Sequence, residues 1–251
     1  MKKIIFLSLV FSSLVTFAAC QKECPECPQC AYKSAPTVST ACGMAEDSAK
    51  DAQPAAKPVA DTAVIEAGAE EIVLPKPVLG DVTLEKVLQD RRSVRQYTED
   101  PLKLQDVSNL LWAANGINRE DGKRTAPSAM NKQSVTIYAT FEKGAYKYDH
   151  VNHKLVRLST EDLRPLKQAP MELIFTSNLV NDDPAKGLDF ALMRGIDSGT
   201  VAQNAALYCA AAGLGTVIRM IRQRDEQTVK ALNIAENEHI LFNMAVGYEK
   251  K

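Results

Sequence analysis

The strongest constraint on how this 251-residue chain can fold is a change of character near residue 76. From residue 31 to 75 the chain is rich in Ala, Pro, Ser, Thr, Lys and acidic residues, and Ala52-Gln-Pro-Ala-Ala-Lys-Pro58 is typical of it. Such a stretch cannot bury enough apolar surface to offset the entropy of ordering it. It reads as a flexible, partly extended tether. A core must therefore come from residues 76–251, an ordinary size for one domain. The expected organisation is a leader over 1–20, a Cys-rich and then Ala/Pro-rich disordered tether over 21–75, and one folded domain over 76–251.

The leader has a short basic start, Lys2-Lys3, followed by an apolar or small run from Ile4 to Ala19. That run is too short and too rich in small residues for a membrane span, and fits an export signal. It ends Phe17-Ala18-Ala19-Cys20, which resembles a bacterial lipobox, so Cys20 is the expected lipidation site. Phe17 is untypical of that pattern, which keeps ordinary secretion as the alternative. Either way the protein is expected outside the cytoplasm, periplasmic or anchored to a membrane as a lipoprotein.

Five of the six cysteines fall within the first 42 residues, and Cys24-Pro-Glu-Cys27-Pro-Gln-Cys30 has the spacing of part of an iron–sulfur run. An exported, proline-stiffened segment that gives Cys20 to a lipid favours disulfides or free thiols, with zinc and a cluster as the alternatives. Cys209, in an apolar helical run, reads as a small core residue. The three histidines form no metal constellation: His150 and His153 read as polar residues of a hairpin and His239 as a strand opening. No metal is expected.

Inside the domain the apolar periods alternate between helix and strand. Helices are expected over Thr83–Asp90, with Thr83 as N-cap, over Lys103–Ala114, over Leu188–Ala212 and over Asp225–Leu232. Strands are expected over Ser134–Phe141, Ala145–Asp149, Lys154–Leu158, Pro170–Ser177, Val217–Ile221 and His239–Val246. The long helix carries small residues at Gly195, Ser198, Gly199, Ala202, Ala205 and Ala206, which permit close packing. Helices and strands in this order indicate α+β or three-layer packing. The formal net charge of −1 argues against a mainly electrostatic nucleic-acid binder.

Two motifs carry chemistry. Arg91-Arg92-Ser93-Val94-Arg95 puts three forked cations and a hydroxyl into five residues, a phosphate-type clamp. The plain alternative is a solvated basic turn after a helix. Pro127-Ser128-Ala129-Met130-Asn131-Lys132-Gln133 sets small residues beside amide side chains, which both donate and accept and so suit the edge of a flat polar ligand. Its plain alternative is a capping turn entering a strand.

Together with Leu110-Leu-Trp-Ala-Ala-Asn-Gly-Ile-Asn118, Gly122-Lys-Arg-Thr-Ala-Pro-Ser128, Tyr146-Lys-Tyr-Asp149, Ala202-Gln-Asn-Ala-Ala-Leu207, Gly213-Leu-Gly-Thr216 and Ala245-Val-Gly-Tyr248, these motifs resemble the nitroreductase-like flavoproteins. The likeness covers roughly 81–248 and is to the branch that includes azoline dehydrogenases. It implies an α+β fold, a three-layer α/β/α sandwich around a mostly antiparallel sheet. It implies a homodimer with two FMN sites shared between subunits, moving a hydride or two electrons between a small-molecule donor and acceptor by a ping-pong route. Arg91, Arg92, Ser93 and Arg95 are then the phosphate and pyrimidine contacts. Pro127, Ser128, Ala129 and Asn131, with Gln133 in support, are contacts from the partner subunit. Ile218, Arg219 and Met220 lie near the reactive edge, with Arg91 or Arg219 placed to stabilise an anionic reduced ring. Met220 stands where many relatives have glycine, and the chain stops at Glu249-Lys250-Lys251, where only Lys250 or Lys251 is left to add basic support. No residue is marked as a general acid. The donor, NAD(P)H or another, is open, because export would separate the protein from cytoplasmic NAD(P)H. A catalytically silent flavin-binding or interaction module of the same fold is the alternative.

Overall fold

The computed structural model describes residues 65, 68–180, 187, 189–221 and 226–251. The expected leader, the lipidation site Cys20 and the cysteines at 24, 27, 30 and 42 lie outside the described residues. Among the described residues no helix is long and apolar enough to cross a membrane. No group of His, Cys, Asp or Glu side chains among them is arranged to hold a metal.

Seven strands form one antiparallel sheet: β1 (Glu71–Val73), β2 (Val135–Phe141), β3 (Gly144–Asp149), β4 (Lys154–Ser159), β5 (Met171–Ser177), β6 (Leu214–Met220) and β7 (His239–Tyr248). Their spatial order is β1-β4-β3-β2-β5-β7-β6. Among the described residues four α-helices accompany the sheet: α1 (Leu84–Asp90), α2 (Leu104–Asn115), α3 (Phe190–Ala211) and α4 (Glu226–Ala231).

Alternation along the central strands sends side chains to both faces. Ile137, Ala139, Leu173, Phe175 and Met244 join α2 and α3 in the main core. Tyr138 and Ile174 point the other way, to a smaller core with Leu163, Leu232 and Ile234 beyond α4. The sheet is thus covered on both faces, the layered α+β arrangement expected. β5 is buried at every position, as a central strand between two layers must be.

The helix starts follow their caps. Thr83 accepts from Lys86 N and starts α1, and Asp189 does the same for α3 through Leu192 N. Cys209 is fully buried in α3.

The boundary at 76 falls inside the fold rather than before it. Glu71–Val73 pairs with Lys154–Val156 at the sheet edge, Leu74 N donates to His153 O at 3.1 Å, and Ile65 packs on the main core. Three residues on an edge strand are too few to show a period, which is why the end of the polar segment concealed them. β6 also starts three residues before the expected Val217. Gly213 takes a left-handed φ of 70° and turns the chain, and Leu214 and Gly215 already pair with β7.

His150 and His153 are more than polar hairpin residues. His153 Nδ1 meets Tyr148 Oη at 2.9 Å, and Nε2 meets Ser108 Oγ at 2.7 Å and Pro75 O at 3.1 Å. His150 Nε2 accepts from Arg124 Nη2 at 2.8 Å. The β3–β4 turn therefore ties down both the entry to the domain and the segment before Pro127. Burial lowers the pKa of both imidazoles, and for His150 the Arg124 charge lowers it further.

Candidate functional site

Three contacts place the Arg motif. Arg91 N–H closes the last turn of α1 on Val87 O at 3.0 Å. Val94 is buried, its N–H donates to Thr216 O at 2.9 Å, and Ser93 bridges Thr216 in parallel. Tyr97, also buried, donates its hydroxyl to Val94 O. Burial pushes that phenol up to about 12, so it stays a donor.

Gly215 makes this approach possible. A Cβ there would lie 2.7 Å from Val94 Cγ1 and 3.0 Å from Val94 Cβ. The motif is thus laid along the free edge of β6, with Val94 inward and Arg91, Arg92, Ser93 and Arg95 exposed.

Charge is unevenly engaged within the motif. Arg92 pairs with Glu249 at 2.6 Å. Arg91 and Arg95 have no ion-pair partner among the described residues. Two free guanidiniums beside an exposed serine hydroxyl form a donor set that matches phosphate oxygens. Glu249 occupies the place where basic support was sought. Lys250 donates its backbone N–H to Gln96 O, which fixes the chain end against the same motif, and Lys251 is exposed.

β6 is the last strand of the sheet. Thr216 O points outward, to Val94. In an extended strand the outward groups recur every second residue. The backbone N–H and C=O of Ile218 and Met220 therefore face out from the same edge, past the end of the Arg motif. That is an unpaired ladder open to a ligand. Ile218 and Met220 are exposed, Met220 at 76%. The methionine side chain leaves the backbone at the edge free to be approached, so the absence of glycine there does not close it.

Arg219 points to the other face and donates from Nη1 to Gln168 Oε1 at 2.7 Å. It lines a cavity of about 1000 Å³ together with Arg164, Lys167, Met220 and Asn243. The loop over 162–168 thus forms a wall beside the C-terminal end of β6. Arg164 is locked by Asp162 through two hydrogen bonds of 2.9 Å. Glu172 is fully buried beneath this wall and accepts from Leu166 N, Gln168 N and Asn243 Nδ2. Desolvation raises its pKa against those donors. This wall was not legible in the sequence, because its residues come from an irregular loop that meets Arg219 only through the sheet.

The second motif lies elsewhere. Ser128 precedes a single 3₁₀ turn, Ala129–Asn131, which leads into β2. Met130, Asn131 and Gln133 have φ of 52°, 54° and 48°, left-handed values that cost non-glycine residues energy. The turn is pinned to α3 by Asp197, which accepts from Ala129 N at 3.0 Å and from Ser128 Oγ at 3.2 Å. Pro127 and Asn131 are exposed, while Ser128, Ala129 and Gln133 are half-buried.

Within one chain the two motifs do not meet. The turn is fixed at Asp197, whereas Arg92 and Val94 share a small cleft with Ala206 and Ala210. Those anchor points are nine to thirteen residues apart on α3, about 14–20 Å at the helical rise. Toward its N-terminal end, beside Asp197, α3 carries Leu192, Gly195, Ile196 and Gly199 on one stripe, the first three exposed and Gly199 half-buried. The leucine and isoleucine are more than half exposed, and a Cβ on either glycine would meet nothing.

Comparison with known proteins places the chain among relatives. The family model described as "Nitroreductase family" matches residues 88–248. A protein of Methanocaldococcus jannaschii assigned as a nitroreductase is 37% identical over 164 residues, 59% of this chain and 82% of that protein. An FMN reductase [NAD(P)H] of Bacillus subtilis is 25% identical over 177 residues, 65% of this chain and 64% of its own length. The crystal structure of a nitroreductase-assigned protein from Ralstonia eutropha JMP134 superposes with a TM-score of 0.67 at 31% identity, covering 78% of this chain and 97% of that one.

Proposed function

This chain belongs to the nitroreductase family of oxidoreductases, and from that membership we propose that it works as a homodimer holding FMN at each end of the subunit interface. The observation that carries the cofactor reading is the free edge of β6. The unpaired guanidiniums of Arg91 and Arg95 stand at one end of it, and outward backbone groups of Ile218 and Met220 continue it. A flavin mononucleotide has the matching parts, a dianionic phosphate joined to a ring with donor and acceptor edges.

In this reading Arg91, Ser93 and Arg95 hold the phosphate. Arg92 contributes less, because Glu249 already neutralises it. The backbone at Ile218 and Met220 meets the ring edge, and Arg219 with Lys167 places positive charge beside it, which favours an anionic reduced ring. FMN held there would supply two-electron redox chemistry. The protein positions and tunes it, and no side chain is needed as a general acid.

The separation of the motifs along α3 is the support for the dimer. A second copy of the chain, with its α3 antiparallel to the first, would bring Pro127–Gln133 of one subunit to the Arg motif of the other. Pro127, Ser128, Ala129, Asn131 and Gln133 then act in trans.

The likeness to an FMN reductase supports NAD(P)H as the donor. The leader pattern supports export and lipidation at Cys20, and an exported protein would need a different donor. The azoline-dehydrogenase branch meets that need, since its substrate itself reduces the ring. Cell fractionation with N-terminal sequencing separates these cases. The chemistry is tested by purifying the full chain and titrating it with FMN and with riboflavin. A yellow dimer that binds FMN more tightly than riboflavin is expected, and a folded dimer that takes up neither refutes the proposal. The Arg92–Glu249 pair favours a second reading, a flavin-binding module without turnover, which steady turnover with any donor and acceptor would remove.

A further inference from the structure

The Pro127–Gln133 turn holds a shape that its own sequence disfavours. Three of its residues, Met130, Asn131 and Gln133, are left-handed without being glycine. Left-handed backbone is unfavourable for a residue with a Cβ and persists where the surroundings hold it. Within the turn itself, Asn131 N and Lys132 N each donate to a carbonyl three residues back, at 3.0 Å. Those bonds would form in any tight turn and do not select the left-handed residues.

The selecting contacts run through Asp197, which is 4% exposed and two helical turns inside α3. Its carboxylate accepts from Ala129 N through both oxygens at 3.0 Å and from the Ser128 hydroxyl at 3.2 Å. With its proton committed to Asp197, Ser128 Oγ presents a lone pair to Gln133 N–H, at 2.7 Å. The order is therefore Gln133 N–H to Ser128 Oγ, and Ser128 O–H to the Asp197 carboxylate. This relay closes the loop across the five residues from Ser128 to Gln133.

We propose that Asp197 is the positioning residue of this turn, fixing the amide pair that reads the flavin ring in the neighbouring subunit. The assignment rests on the cofactor reading above. It also explains why a buried carboxylate sits on α3 next to the exposed Ile196. The residue mounts the ligand-reading loop on the helix that carries the subunit face, so assembly and loop geometry are set by one element. A buried carboxylate bonded only to neutral donors is expensive for a core, which fits a positioning role better than a packing one.

The test uses the full-length protein and Asp197→Asn and Asp197→Ala, titrated with FMN and with riboflavin well below the melting temperature. Asn keeps one acceptor for Ala129 N but cannot accept the Ser128 proton in the same way. Asp197→Ala is expected to weaken both ligands by the same factor, at least tenfold, because the turn addresses the ring and not the phosphate. Asp197→Asn should fall between it and the parent. Amide hydrogen exchange at Gln133 should accelerate in both variants, while exchange in β5 stays as in the parent. Ser128→Ala combined with Asp197→Ala should be no worse than Asp197→Ala alone, since both break one relay. If Asp197→Ala and Asp197→Asn bind FMN and riboflavin within twofold of the parent, or if Gln133 exchange is unchanged, the assignment is overturned. Should Asp197→Ala not fold, the isosteric Asp197→Asn decides by the same readings. A parent protein that binds no flavin refutes the cofactor reading itself, and the exchange data still report on the relay.

Discussion

Replacing Gly215 by alanine tests how the Arg motif is held. The added Cβ would sit 2.7 Å from Val94 Cγ1, 3.0 Å from Val94 Cβ and 3.4 Å from Tyr97 Cε1. Rotating Val94 relieves the first contact only, because its Cβ moves with the backbone. The motif must then retreat from β6 by several tenths of an ångström. The Val94 N–H to Thr216 O bond spans the same gap at 2.9 Å and lengthens with it. Overpacking of this kind costs about 1–3 kcal/mol, and a weakened hydrogen bond adds up to about 1 kcal/mol. For a domain of this size a loss of about 2–3 kcal/mol lowers Tm by roughly 4–12 °C. The assay is calorimetric or circular-dichroism melting of the full chain, alongside FMN and riboflavin titrations. FMN affinity should fall more than riboflavin affinity, because the displaced groups are the proposed phosphate donors. A Tm within 1 °C of the parent with unchanged FMN affinity would refute the argument that the motif's place on β6 depends on the missing Cβ.

Arg95→Ala should weaken FMN about tenfold or more while leaving riboflavin almost unchanged, read by fluorescence quenching, since a charge-assisted bond to phosphate contributes about 1.5–3 kcal/mol. His150 and His153 have folded-state pKa values below their unfolded value of about 6.5. Their contribution is therefore complete above about pH 6.5 and is lost as pH falls below it, because the unfolded chain takes up protons first. Urea melts from pH 7.5 to 5 should show falling stability, and His150→Gln with His153→Gln should flatten that slope. Cys209 is buried and its thiol is pushed well above the ordinary range by desolvation, so mass mapping should find it unlabelled by iodoacetamide in the native protein and labelled in urea. Mixing Arg95→Ala chains with Asp197→Ala chains should restore one sound site per mixed dimer, and FMN binding that stays at the level of the separate variants would count against contacts in trans.

Much of the fold was legible because it depends on local pattern. Thr83 before an apolar run caps α1, the alternation from Val135 to Phe141 marks β2, and the apolar run from Met171 marks β5 at the sheet centre. Both chemical motifs were legible because their residue types are unusual in short compass. Less was visible at the edges. Glu71–Val73 is too short to show an alternating period, and becomes a strand because it pairs with the edge of β4. Leu214 and Gly215 look like a turn and pair as strand because β7 lies beside them.

By itself, then, the sequence determined the family, the helices and strands of the core and the two candidate site motifs, since each rests on residue chemistry over short spacings. Only the tertiary structure decided their mutual places. It set the Arg motif on the free edge of β6 through Gly215 and Val94, brought Glu249 to Arg92 across 157 residues, and put Asp197 beneath a strained turn 68 residues away. Those choices depend on distances between elements far apart in the chain, which no local pattern encodes. The same distances hold the two motifs apart on α3 and leave their meeting to a second copy of the chain in the proposed dimer.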